Sequence, residues 1–380
     1  MQHKAPQLDA IRGLAILLVI MHNQTAKYPS LHLEHVFRNG WMGVDLFFVL
    51  SGFLITGILV DTKQSANYFR NFYARRCLRI LPLYYSVIVF IFVIVPFLRP
   101  AEAHTVFERS SPWWAYPLFL QNFLIPSPTS AVGPLAVTWS LAIEEQFYLV
   151  WPGVVRYCSS RQIRWIAISV IGASPALRLY LSLHHIGFYS NVFCRLDGLM
   201  AGALLALTVR SDDFRPATFV KWAGVALCIA APLAFVTEAL GARWIVFSLT
   251  AMASVSLVYL AMFSALRGLQ SVLTNRFIVY TGTLSYGLYL LHKIPFDVAQ
   301  SLRVDQYPRL VLPTMMAASY AMAALSWYLL EKPFLRLKRF FGAEMIRHLR
   351  MGAGFSSSIT PKWAPRARND RTTVPRPRTR

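Results

Sequence analysis

The sequence predicts an all-α fold, that of a polytopic integral membrane protein with about ten transmembrane helices, and three observations carry the prediction. Hydrophobic residues make up 56% of the chain and charged residues only 14%, whereas an ordinary soluble domain is charged at about a quarter of its positions. Apolar stretches of about 20 residues recur, each long enough to cross a hydrocarbon core about 30 Å thick. They are continuously apolar rather than alternating, which argues against a transmembrane β-barrel. Backbone amides in lipid must bond within their own segment, so each stretch is read as a helix.

The spans fall at about 11–28, 41–60, 80–98, 136–155, 163–182, 192–209, 220–237, 243–264, 276–294 and 310–330. The first follows Lys4 and Arg12 and lacks an Ala-x-Ala-like cleavage site, so it is expected to be retained. The second holds Gly43 and Gly52, which allow helices to approach closely. Between the third and fourth, segment 99–135 carries Pro112, Pro117, Pro126, Pro128 and Pro134 with Trp113, Trp114 and Tyr116. It reads either as an anchor at the headgroups or as a lid over an acceptor site. The tenth span ends at Glu331-Lys332-Pro333, where proline stops the helix.

A membrane domain over 1–340 is thus followed by a basic tail over 341–380, expected to be disordered against an anionic leaflet. Lys and Arg are denser in loops 61–79, 156–164, 210–221 and 265–276 than in the alternate segments, which predicts cytoplasmic N- and C-termini. The net charge of +21 has the same origin, and no nucleic-acid partner is expected. No folded soluble domain is expected after the spans. Cys77, Cys158, Cys194 and Cys228 show no ligand spacing, so neither a metal nor a permanently bound cofactor is expected.

Ionisable groups inside spans are costly and mark functional candidates. His22 lies ten positions beyond Arg12, about 15 Å further along a helix. It reads as a general base or as a histidine bonded to a neighbouring helix. Asp45 could orient a base or form a structural ion pair. Arg75, Arg76 and Arg79 form a basic cluster, in which Arg76 and Arg79 share a helical face. They suit either phosphate binding or simple positive-inside topology. Glu144 and Glu145 project about 100° apart and so differ in role. Arg195, Asp197 and His292 are further candidates.

The ordered blocks LDAIRGLAILLVIMH, GVDLFFVLSGFLI, FYARRCLRILPLYY, TWSLAIEEQFYLVWP, RLDGLMAGALLA, LSYGLYLLH and EKP, spread over about Leu8 to Phe334, resemble acyltransferase family 3. The resemblance implies transfer of an acyl group, often acetyl, from cytosolic acyl-CoA to a hydroxyl of an extracytoplasmic or lipid-linked glycan. It implies a functional pair at Arg12 and His22, and an Arg-x-x-Arg element at Arg76 and Arg79. On this reading His22 is the general base, with a covalent acyl-histidine as the mechanistic variant. Arg12, Arg76 and Arg79, with Arg75 in a lesser part, hold the donor's phosphates. Asp45, Glu144 or Glu145 tunes the base or positions the acceptor.

The family spacing leaves ten residues between the basic residue and the histidine, whereas nine stand here and Asn23 occupies the ten-residue position. Ten helical steps leave Arg12 and His22 roughly 80° apart, so either the helix is distorted or the two do not share a face. Two rivals are a transporter or flippase, which would move a solute unchanged, and a family member without activity.

Overall fold

The computed structural model describes residues 6–25, 27–28, 31–124, 133–303 and 307–341. The expected tail lies outside the described residues beyond Phe341, as does the centre of the proline-rich segment, 125–132. Among the described residues the regular structure is helical, without strands. The bundle is built from α1 (Pro6–Thr25), α2 (Met42–Asp61), α3 (Tyr68–Val89), α4 (Thr138–Tyr157), α5 (Ser160–Leu183) and α6 (Leu196–Thr208). It continues with α7 (Pro216–Ala239), α8 (Arg243–Phe263), α9 (Arg276–Thr283), α10 (Ser285–Leu291), α11 (Lys293–Ser301) and α12 (Pro308–Ser326).

Among the described residues, 6 helical stretches are long and apolar enough to cross a membrane. They are Glu34–Asp61, Tyr68–Leu98, Ser160–Leu183, Pro216–Ala239, Arg243–Phe263 and Arg309–Phe341. The chain is therefore a multi-pass helical protein, and its described residues hold fewer such helices than the ten spans read from sequence. The expected span 276–294 is broken into the short helices α9, α10 and α11, at Leu284 and His292. The span 192–209 yields the 13-residue α6, about 20 Å long and short of a hydrocarbon core. Helices α1 and α4 are each 20 residues long, about 30 Å, but carry charges among their apolar residues.

Helix α2 is the centre of the bundle and packs against α1, α4, α6 and α8. Its contact with α6 depends on two glycines. A Cβ on Gly52 would stand 1.9 Å from the Leu199 carbonyl oxygen, and one on Gly202 2.1 Å from that of Val49. Gly43 likewise lets α2 close on α1. Helices α5 and α7 lie outside, exposing Trp165, Ile168, Trp222, Ile229 and Phe235. Large apolar side chains spread this widely over an outer face fit lipid rather than water.

Local chemistry sets several helix ends. Ser159 and Gln162 form a reciprocal capping box at the start of α5. Asn275 caps α9 by accepting from the amides of Phe277 and Ile278. Helix α3 runs on through a π-turn at Phe90–Ile94, and α12 through another at Trp327–Glu331.

Candidate active site

One or two charged residues from each of α1, α3 and α4 meet around one cavity of about 110 Å³. Arg12, Arg76, Arg79 and Glu144 line it together with Ser51, Tyr148, Tyr286 and Tyr289. Arg12 donates to Asp9 at 2.9 Å, three residues earlier on its own helix. The guanidinium of Arg76 stands 5.4 Å from the centre of the Tyr148 ring. Tyr148 donates to Glu144 at 2.7 Å, an i,i+4 pair that directs both side chains to the same side of α4. Tyr286 donates to the Ile80 carbonyl at 2.7 Å, and Tyr289 to that of Val137 at 3.0 Å while sharing a 2.5 Å hydrogen bond with Ser140.

Three arginines against one glutamate leave the cavity wall positive. Arg12 and Arg79 repel one another, and the charges of Arg75, Arg76 and Arg79 also act on Lys338, beyond α12. Crowded cations of this kind favour an anion with several oxygens, which guanidinium groups bind through paired N–H donors.

The other sequence candidates lie elsewhere. Arg75 does not line the cavity, and neither does Glu145, whose Oε1 is buried without a partner. Helix α1 is an uninterrupted α-helix, so no distortion brings His22 onto the face of Arg12. His22 is half-buried, and its Nδ1 lies 3.1 Å from the Phe37 carbonyl. A hydrogen bond to that carbonyl requires a proton on Nδ1, so in the neutral ring the lone pair sits on Nε2. A Cβ on Gly40 would touch His22, while Val44, four positions on, lines the cavity. His22 therefore lies beside the chain leading into α2, outside the residues that line the cavity.

Asp45 receives a hydrogen bond from Arg195 at 2.8 Å and one from Thr250 at 3.1 Å. Asp197 pairs with the buried Arg178 at 2.9 Å. His292 is fully buried outside the cavity; its Nδ1 faces the Leu288 and Tyr289 carbonyls and its Nε2 has no partner. Ser51, Tyr148, Tyr286, Tyr289 and Lys338 were not singled out from sequence. The i,i+4 step from Glu144 to Tyr148 could have marked that tyrosine, whereas the rest become visible only when α2, α3, α10 and the chain past α12 converge.

Comparison with known proteins places these features in context. A family model described as an acyltransferase domain, that of acyltransferase family 3, matches residues 6–331. The chain is 27% identical over 368 residues to the peptidoglycan O-acetyltransferase OatA of Listeria monocytogenes, covering 86% of this chain and 55% of that protein. It is 30% identical over 364 residues to the putative peptidoglycan O-acetyltransferase YrhL of Bacillus subtilis, covering 86% and 54%. A putative O-acetyltransferase of Staphylococcus aureus is 26% identical over 365 residues, covering 87% and 57%. The chain thus spans about half the length of the curated relatives it matches. No solved structure matches it.

Proposed function

This chain belongs to acyltransferase family 3, matched over residues 6–331, and from that premise we propose that it is a membrane-embedded O-acetyltransferase. It moves acetyl from cytosolic acyl-CoA to a hydroxyl of an extracytoplasmic, peptidoglycan-type glycan. The names of OatA and YrhL support the acceptor class. The donor is argued from the three arginines in one cavity, and this observation carries the proposal.

Arg12, Arg76 and Arg79 bind the donor's phosphates. His22 lies about 15 Å along α1 from Arg12. That separation suits a long donor, anchored by its phosphates while the flexible pantetheine arm carries the thioester toward His22. The acceptor hydroxyl attacks the thioester carbonyl and gives its proton to Nε2 of His22. The new C–O bond forms, the C–S bond breaks, and the imidazolium returns the proton to the departing thiolate. Glu144, held by Tyr148, balances part of the arginine charge. Both termini lie in the cytoplasm on this reading.

The test is acetyl transfer by full-length protein reconstituted in vesicles. His22→Ala is expected to abolish transfer while the protein remains folded in the membrane; turnover equal to wild type would end the role of His22. Mass spectrometry of the glycan separates transfer from transport, because only transfer adds the mass of an ester.

A further inference from the structure

Two buried arginines lie near one another in the core, and they are not equivalent. Arg178 is fully engaged: Nε donates to the Trp244 carbonyl at 2.7 Å and Nη1 to that of Cys194 at 2.5 Å. Its Nη2 donates to Asp197 at 2.9 Å and to Ser248 at 2.6 Å. Arg195 is 1% exposed and its guanidinium makes one hydrogen bond, from Nη2 to Asp45, while its buried Nε and Nη1 have no partner among the described residues. Aromatic rings surround it instead, with Phe247 at 3.8 Å, Tyr189 and Phe48 at 5.5 Å, and Trp139 at 5.7 Å from the guanidinium carbon. Ring faces attract the charge, yet they do not satisfy N–H donors, and leaving these buried and unmet is costly. Arg178 shows that this fold completes an arginine whose work is structural.

From this contrast we infer that Arg195, with the rings of Phe247 and Trp139, forms a subsite for a neutral saccharide, uncovered when segment 184–191 lifts. Both free groups are donors, so the ligand presents acceptor oxygens. The two arginines are already paired with Asp45 and Asp197. An anion would therefore add uncompensated charge, and hydroxyl or N-acetyl carbonyl oxygens fit better. Tyr189 covers Trp139 and Phe247, with ring centres 4.9 and 5.9 Å away, and once it moves those two rings offer faces for the apolar side of a sugar ring.

Access runs through the connection between α5 and α6. Residues 184–187 are exposed, and Phe188 and Tyr189 lie over Phe247 with ring centres 6.3 and 5.9 Å away. His185 holds a left-handed φ of 56°, a conformation uncommon outside glycine. The subsite also stands at the His22 end of the bundle. Trp41, four residues past the Phe37 carbonyl that His22 contacts, packs edge-on against Phe247 at 5.3 Å. The assignment of this sugar as the acyl acceptor rests on the proposed acetyl transfer; its binding does not.

The experiment titrates chitotetraose, a neutral N-acetylglucosamine oligomer, into full-length protein in nanodiscs and reads tryptophan fluorescence. Acetyl transfer is measured in parallel. Wild type is expected to bind saturably. Arg195→Lys keeps the charge beside Asp45 but loses the planar fork, and should weaken binding at least ten-fold without altering acetyl-CoA binding. Phe247→Leu, which keeps apolar bulk but removes a ring face, should also weaken it and serves if the arginine variant does not fold. Unchanged chitotetraose affinity in the folded variants, or wild-type binding confined to an anionic polygalacturonate oligomer, overturns the subsite. Sugar binding without acetyl transfer leaves the subsite standing and removes the transferase reading. Transfer with an unchanged acceptor KM in both variants does the reverse.

Discussion

Within the cavity, the Tyr148 hydroxyl and Glu144 are joined by a 2.7 Å hydrogen bond. Tyr148→Phe removes the donor that holds Glu144 beside the arginines and should lower turnover roughly ten-fold, as steady-state kinetics on the folded protein would show. Arg76 acts as a fork rather than a point charge on the proposed reading. Arg76→Lys should therefore raise the acyl-CoA KM about ten-fold with a smaller change in kcat. An unaltered donor KM would remove Arg76 from the donor site. The residue types at 12, 76, 79 and 144 were legible in the sequence, because charge inside an apolar segment stands out. Ser51, Tyr286 and Tyr289 were not, because a hydroxyl is common in helices and becomes informative only when it lines a cavity.

Helices α2 and α6 meet at a contact that tolerates no added atoms. A Cβ on Gly52 would fall 1.9 Å from a backbone oxygen, which no rotamer change can relieve. Overpacking costs about 1–3 kcal/mol where side chains can yield, and more where backbone must move. Gly52→Val should accordingly abolish or sharply reduce the monodisperse peak in detergent after mild heating. Gly153→Ala, with nothing within 4 Å of its Cβ position, should leave that peak unchanged. Helix existence was readable from apolar runs. The division of 276–294 into three pieces was not, since hydropathy averaged over a window does not register breaks at Leu284 and His292.

For the whole molecule, the proposed route requires the arginine cavity and His22 to open to opposite sides of the membrane. Acetyl-CoA added to sealed vesicles should support transfer only from the face bearing the Arg12 end, and equal rates from both faces would refute the sidedness. On the proposed reading the arginine cavity holds the donor's phosphates, so the donor KM should rise with ionic strength. A donor KM independent of salt would point to a dry, uncharged recognition mode.

The sequence by itself determined that this is a helical membrane protein of acyltransferase family 3, because composition, apolar run length and ordered motifs are properties of the chain alone. It also placed His22 roughly 80° from Arg12, since helical geometry follows from counting. Only the tertiary structure decided which charges share a cavity and which pair off. Arg12 meets Arg76, Arg79 and Glu144, whereas Asp45 meets Arg195 from 150 positions away. Such partners are chosen by which helix faces pack together, and that depends on close approaches such as Gly52 to Leu199, set by contacts distant in sequence.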